Sequence, residues 1–274
     1  CFTFRPGPAG FREQKLYRGL HPMMAKRLEL WRLRNFFVNR LPSVEDVYLF
    51  HGIARDNPKD ERLFALAEVR DVTAIRDGRG RLVQVPHLER MLMEALTSIR
   101  SAQLRRSPAE RLQWNRVLLY VRPPLDLTRE EIEAVARRLG SEAEGLGLQK
   151  VVIRAQLPDE SGELKDTVVR VAMASGHGMA LQFTPPSSEP IRPLTEYAQK
   201  VVRMRQRGLT YPYELVRLLT PSPEEHSDMP SGTFVEHDLD ERGHLVPVDR
   251  PYGRNAANVV VGLITNATEK YPEG

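Results

Sequence analysis

The sequence predicts an α+β fold in which an antiparallel sheet of about six strands carries two long helices on one face. Residues 113–124 form a short apolar run, rich in β-branched and aromatic residues and closed by a double proline. Such a run is typical of a strand buried in a sheet. Helical patterns come directly before and after it, and three further strand-like runs follow. Both helices should therefore lie on the sheet that contains this central strand, with a partial second domain after it.

The two long helices are predicted from their apolar period and their end signals. Residues 86–106 place apolar side chains on one helical face, and Pro86 suits a first helical turn, where its missing N–H would be unpaired anyway. Residues 128–139 show the same period. Thr128 and Glu131 have the capping-box spacing, and Gly140 stands where a helix-ending glycine belongs.

Shorter apolar runs predict the other elements of the sheet. Three strands joined by short turns after the second long helix predict an antiparallel meander. A helix with apolar residues at helical spacing should precede the first strands. We expect that helix at residues 20–33 and strands at residues 36–42, 46–54, 63–72, 149–157, 166–174 and 179–184.

Proline-rich and glycine-rich stretches divide the chain. We expect a tail or linker at 1–14, the α+β domain at 15–186, a linker with lead-in helices at 187–232, and the first strands of a truncated second domain at 233–274. This last part has too few apolar residues to predict a core of its own. The chain lacks an initiator methionine, and its last residues, 271–274, do not read as a natural end. We therefore expect it to be a piece of a longer protein.

Composition excludes some classes of protein. The 274 residues are 41% hydrophobic and 28% charged, which is ordinary for a soluble domain. No apolar run approaches the ~20 residues that cross a bilayer, and no signal peptide is visible. Cys1 is the single cysteine, so a disulfide framework and a cysteine metal site are excluded. A cytoplasmic location is the resulting expectation. The net charge of +4 leaves nucleic-acid binding as an alternative, although acidic residues interleave with the arginines.

Few residues suggest chemistry. His177 lies between Gly176 and Gly178, which would allow close approach to a catalytic histidine, but the same pattern fits a hairpin turn. Residues 238–243, with Asp249 at the twelfth position, resemble a calcium loop, but Arg242 occupies a ligand position and the closing Glu is missing. His51 is expected to be a satisfied, half-buried strand residue. Cys1 would be a nucleophile only as a processed terminus. We therefore predict no catalytic, cofactor-binding or metal-binding residue in this chain.

Two phrases near the start carry a family resemblance. Tyr17, Leu20 and Pro22 fit a Tyr-x-x-Leu-x-Pro phrase, and the segment 28–36 fits Leu-x-x-x-Arg-x-x-x-Phe. In this order they resemble the central region of the eukaryotic-type single-chain acetyl-CoA carboxylases. Residues 208–215 are similar to the phrase that opens the carboxyltransferase of that family. Residues 238–248 resemble the hairpin that comes next in that family. Residues 258–264 resemble the strand after it, and residues 270–274 resemble its Glu-Tyr-Pro-x-Gly phrase.

The resemblance implies a part of an enzyme. The biotin-acceptor Met-Lys-Met phrase, the ATP-grasp biotin carboxylase and the acyl-CoA site are missing from this chain, and Gly253 and Asn255 keep a Gly-Asn motif only in part. The family implies a non-catalytic scaffold in a ligase that forms carbon–carbon bonds, in malonyl-CoA-type synthesis for fatty acid biosynthesis. It implies no cofactor in this segment, and biotin, ATP and a divalent metal in the parent enzyme.

The implied partners are the biotin carboxylase, biotin carrier and carboxyltransferase domains of the same chain, in a homodimeric parent, with no nucleic acid and no membrane. The compact, arginine-rich chain resembles a bacterial version more than a regulated eukaryotic one. Hinges are expected at residues 6–11 and 185–193. Two alternatives stay open: a basic nucleic-acid-binding module, which would bind polyanions with strong salt dependence, and an independent small-molecule enzyme, which would need a pocket of convergent titratable groups.

Overall fold

The computed structural model describes residues 2–16, 20–159, 161–174, 178–224, 226–255 and 259–272 of the chain. Two compact units are present. Among the described residues, the first ends at Pro193 and the second begins at Leu194. The division lies at the end of the proline-rich segment 185–193, in which the sequence predicts a boundary.

The first unit consists mainly of strands. They are β1 (Phe2–Gly7), β2 (Gly10–Leu16), β3 (Phe36–Leu41), β4 (Val47–Ala54), β5 (Glu61–Val69), β6 (Ile75–Arg76), β7 (Leu82–Gln84), β8 (Asn115–Val121), β9 (Leu148–Pro158), β10 (Leu164–Ala174) and β11 (Gly178–Thr184). The helices are α1 (Pro22–Arg27), α2 (Pro86–Leu104) and α3 (Arg129–Gly140), with short 3-10 turns at Leu30–Leu33, Pro108–Glu110 and Ser141–Ala143.

The main sheet has seven strands in the order β11-β10-β9-β8-β5-β4-β3. The predicted α+β class and the antiparallel meander β9-β10-β11 are confirmed. The sheet is nevertheless mixed, because β8 pairs in parallel with both of its neighbours, β5 and β9. The cause is the pair of helices that flank β8 in sequence. A chain that leaves a strand through a helix returns in the same direction, which gives parallel pairing.

Helices α2 and α3 cover one face of this sheet, as predicted. The apolar stripe of α2 is buried against β4, β5 and β8. Met91 and Ile99 in that stripe are fully buried, and such burial stabilises by about 1.5–3 kcal/mol per side chain. The capping box of α3 forms as expected, with N–H to side-chain bonds of 3.1 and 3.2 Å between Thr128 and Glu131.

The second face of the sheet is covered by the segment that precedes β3. The sequence predicts one helix over residues 20–33, but α1 ends at Arg27 and a short 3-10 turn follows. Glu29 separates them because its backbone is left-handed, with φ of 49°, which an α-helix does not allow. Because of this interruption, the side chains of Leu28 and Leu33 reach the same apolar cluster as Phe64. All three side chains are buried.

Residues 2–16 differ from the expected tail. Strands β1 and β2 pair as an antiparallel hairpin, in which Pro6 lies opposite Phe11 and Gly7 opposite Gly10. Gly10 has φ of 106°, a conformation that glycine adopts without steric cost. Alternating polarity is weak here, so the sequence gives little strand signal, and the pairing is seen only in the structure. The hinge predicted at residues 6–11 therefore coincides with the turn of a paired hairpin.

The second unit contains two helices and three strands among its described residues. Its core is a small cluster of aromatic residues, in which Tyr213 is fully buried and stacks on Tyr252 with ring centroids 4.9 Å apart. Tyrosines thus supply buried area where aliphatic residues are few. The sequence predicts no separate core for residues 233–274, and the buried members of this cluster, Val201, Tyr211 and Tyr213, all precede that segment. The elements are α4 (Glu196–Gln206), α5 (Pro212–Leu219), β12 (Gly232–Leu239), β13 (Leu245–Pro247) and β14 (Val261–Asn266), with strand order β13-β12-β14.

Candidate functional site

Among the described residues, those that the sequence singles out do not come together. His51 on β4 lies with its Nε2 2.5 Å from Oε1 of Glu61 on β5, so this histidine is paired within the sheet. Its environment is that of a partly buried structural side chain. Cys1 and the segment 175–177, which contains His177, lie outside the described residues.

The calcium-like phrase forms the predicted hairpin turn between β12 and β13. Oδ1 of Asp240 accepts the backbone N–H groups of Arg242 and His244 at 2.9 and 2.8 Å. Asp238 is paired with Arg250 at 2.6 Å. These carboxylates thus close the turn and neutralise an arginine. Within the described ranges no group of three or more His, Cys, Asp or Glu side chains could hold a metal ion.

In the first unit, a cluster of ion-paired side chains lies on the second face of the sheet. Glu68 on β5 is 4% exposed and forms ion pairs with three arginines: Arg27 at 2.7 Å, Arg70 at 3.0 Å, and Arg122. Burial alone would raise the pKa of Glu68, but the hydrogen bonds from Arg122 and Arg70 outweigh it and lower that pKa. Glu68 is therefore a fixed anion that holds three cations at one place.

This cluster attaches the covering segment to the sheet. Arg27 ends α1, and its carbonyl oxygen accepts a hydrogen bond from Arg122 at 2.5 Å. A second carboxylate, Glu29, pairs with Arg154 on β9 and lies 3.6 Å from Arg32. The ion pairs thus connect the chain before β3 with β5, β8 and β9. They fix where α1 and the 3-10 turn lie on the second face.

The chain also returns to this face after its last strand in the first unit. The N–H of Ile191 donates to the carbonyl oxygen of Arg32 at 2.8 Å, and Nδ2 of Asn35 donates to the carbonyl oxygen of Ile191 at 3.1 Å. The Ile191 side chain is 5% exposed and belongs to the apolar cluster of the second face. The exit from the first unit is therefore anchored two residues before the unit ends.

A family comparison now decides what this unit is. A family model described as acetyl-CoA carboxylase, central region, matches residues 1–184. The chain belongs to this family. The predicted membership of a eukaryotic-type acetyl-CoA carboxylase central region is thereby confirmed, and the bacterial version stays a prediction.

Individual relatives agree with the family. This chain is 24% identical over 311 aligned residues to acetyl-CoA carboxylase of Saccharomyces cerevisiae, a match that covers 100% of this chain and 14% of the relative. Acetyl-CoA carboxylase of Schizosaccharomyces pombe is 24% identical over 307 residues, with coverage of 96% and 13%. The chain thus spans a small part of these relatives. A crystal structure of the central domain of yeast acetyl-CoA carboxylase has a TM-score of 0.49 and 20% identity, covering 70% of this chain and 30% of that one.

The ion pairs and the Ile191 anchor on the second face carry only a weak sequence signal. Glu68, Arg154 and Ile191 follow no motif, and their partners lie far away along the chain. The available signal is the period of two in β8 and β9, where charged and apolar residues share the second face, as in Lys150, Val152 and Arg154. Among the described residues of the chain, no helix combines the length and the apolar character that a membrane span needs.

Proposed function

We propose that this chain is a non-catalytic scaffold inside a biotin-dependent acyl-CoA carboxylase. The observation that carries the proposal is the family match over residues 1–184, which coincides with the first unit almost to its end at Pro193. The scaffold spaces and orients the biotin carboxylase and the carboxyltransferase, between which the biotin carrier moves. The parent enzyme is a ligase that makes a malonyl-CoA-type product.

The first unit has the physical properties of a stiff spacer. Helices α2 and α3 cover one face of its seven-stranded sheet, and the segment before β3 covers part of the other. The arginines around Glu68 and Glu29 are paired with carboxylates rather than displayed for a polyanion. This pairing supports a scaffold over a nucleic-acid-binding module, which needs free cations on an open surface.

The contacts of Ile191 narrow the range of residues in which we place the predicted second hinge. Backbone and side-chain contacts hold Ile191 on the sheet, and we therefore place the hinge in the residues after it, Arg192 and Pro193. The local concentration of a tethered carrier at each active site is high only if the length of the tether matches the distance between the two sites. A short hinge beside a stiff block sets such a span.

The parent enzyme supplies the chemistry in this proposal. Biotin, ATP and a divalent metal belong to its other domains, and the partners of this segment are those domains within a cytoplasmic homodimer. In support, the apolar space between α2, α3 and the sheet measures only about 30 Å³, which is too small for a substrate. The side chains around the second-face cavity beside Glu29 and Arg122 are largely ion-paired.

The test uses the parent enzyme with a rigid helical insertion between Arg192 and Pro193. We expect overall carboxylation of the acyl-CoA to fall several-fold, because the insertion changes the span. Carboxylation of free biotin and transfer from free carboxybiotin should keep their rates, because neither uses the tethered carrier. The same insertion after Gly78, in an exposed turn where an added Cβ atom would meet no other atom within 4 Å, is the matched control.

Two results would contradict the scaffold role. One is an equal loss in an isolated half-reaction, which would place the segment at an active site. The other is an unchanged overall rate with the insertion after Arg192, which would mean that the span does not matter.

A further inference from the structure

A second cavity on the same sheet face is lined by cations. It has a volume of about 290 Å³ and lies over β8, β9 and β10, under the returning segment 187–192. Its floor is apolar, formed by Leu118 and Val152, which are paired neighbours on β8 and β9. We call it the cationic pocket, after the side chains that share a positive charge and line it: Arg32, Arg116, Lys150, Arg170 and Arg192.

The strand register forces three of these cations together. Arg116 on β8 lies directly opposite Lys150 on β9, and both belong to the second face. Arg170 on β10 lies opposite Val152, two residues further along β9. Side chains two apart on one strand share a face, so the three cations converge over Val152.

Carboxylates compensate only part of this charge. Arg32 lies 3.6 Å from Glu29, which also pairs with Arg154. Glu189 is the acidic residue among those that line the pocket, and it is paired with Arg192 at 2.6 Å. The Arg116 guanidinium donates to a neutral acceptor, the amide oxygen of Gln149, at 2.9 and 3.1 Å. In the described part of the chain, Lys150 and Arg170 form no side-chain hydrogen bond or ion pair.

The burial and the crowding of these cations lower pKa values within the cluster. Burial, and then the nearby charges of Arg116 and Arg170, lower the pKa of Lys150. The pKa of Arg116 falls to about 9, mainly through burial and then through the charge of Arg62. In addition, the buried Nε of Arg32 has no hydrogen-bond partner among the described residues. Unpaired like charges on an apolar floor destabilise a fold unless an anion joins them.

We propose that the cationic pocket is a binding site for a phosphate group, carried either by inorganic phosphate or by a small phosphorylated molecule. Guanidinium groups offer paired donors that match phosphate oxygens, and a lysine adds a point charge. The volume is close to the lower limit for small-molecule sites, which fits a phosphate with a small organic part and not a polymer. This site does not depend on the scaffold role, and either proposal can fail alone.

The test measures binding of inorganic phosphate and of pyrophosphate to the full chain by calorimetry and thermal unfolding. Ionic strength is held constant with chloride. We expect phosphate to raise the unfolding temperature above the chloride reference. Lys150→Met and Arg170→Met should each weaken phosphate affinity at least fivefold, because each removes one charge-assisted contact. Arg79→Met, in an exposed turn away from the pocket, is the control and should bind as the unchanged protein does.

A second readout separates binding from structure. Without phosphate, Lys150→Met should be at least as stable as the unchanged protein, because it removes a repelled cation. A variant that is destabilised without phosphate would show that Lys150 is structural, and Lys150→Gln would then repeat the affinity measurement. The proposal is overturned if phosphate gives no stabilisation beyond chloride, if both pocket variants bind it normally, or if only long polyanions such as RNA bind. Preference for pyrophosphate over phosphate would identify a phosphorylated molecule as the source.

Discussion

The side-chain amide of Asn35 donates a hydrogen bond of 3.1 Å to the carbonyl oxygen of Ile191, across 156 residues of chain. Asn35 precedes the first strand of the main sheet, and Ile191 follows the last one. The bond therefore joins the beginning of the sheet to its exit. Around it, the Ile191 side chain completes the apolar cluster of the second face.

We predict that this anchor contributes measurably to the stability of the first unit. Ile191→Ala should lower its free energy of unfolding by about 2 kcal/mol or more, and Ile191→Val by about 1 kcal/mol, because each leaves a cavity of different size. Both tryptophans, Trp31 and Trp114, lie in this unit, so urea denaturation followed by tryptophan fluorescence reports on it alone. Equal stability of Ile191→Ala and the unchanged protein would show that the exit segment is not docked.

Glu68 should give the first unit part of its pH dependence. Its folded pKa lies below the ordinary value of 4.5, so its contribution is fully present above the unfolded pKa and is lost as the pH falls through the folded pKa. Glu68→Gln should destabilise the unit by about 1–3 kcal/mol at pH 7 and by less at pH 3. The measurement is the free energy of unfolding between pH 3 and 7. Parallel curves for the variant and the unchanged protein would contradict the lowered pKa.

Gly52 on β4 is required by close packing and not by its backbone angles. A Cβ atom there would lie 2.7 Å from Cε2 of Phe64 and 3.5 Å from Cβ of Phe36. Phe36 and Phe64 already pack edge to face, with ring centroids 5.1 Å apart. Gly52→Ala should therefore destabilise the first unit by about 1–3 kcal/mol. The matched control is Gly78→Ala, which meets no atom within 4 Å and should change the urea midpoint little.

In the second unit, Tyr213 should act through its hydroxyl. It is fully buried and donates a hydrogen bond of 2.8 Å to Glu236, which also binds Arg250. Tyr213→Phe should cost about 1 kcal/mol, since the ring packing remains and one acceptor loses a donor. Amide hydrogen exchange of β12 should become faster, while the tryptophan-monitored transition stays in place. Unchanged exchange in β12 would contradict this role, and Tyr252→Phe, which keeps its stacked ring, is the control.

The sequence by itself determined the local elements. The apolar period of residues 86–106, the capping box at Thr128 and the apolar run around Leu118 each specify their structure within a few residues. It also determined the class of the fold and, through ordered phrases, the family. These signals are local, so a single chain is enough to read them.

Only the tertiary structure decided how strands and charges meet. The parallel pairing of β8 depends on the direction in which two helices return the chain, and the left-handed Glu29 interrupts an otherwise helical pattern. The contacts of Glu68 with Arg122 and of Asn35 with Ile191 join residues far apart in sequence. The convergence of Lys150 with Arg116 follows from strand register, which is fixed by packing between elements and leaves no local signature.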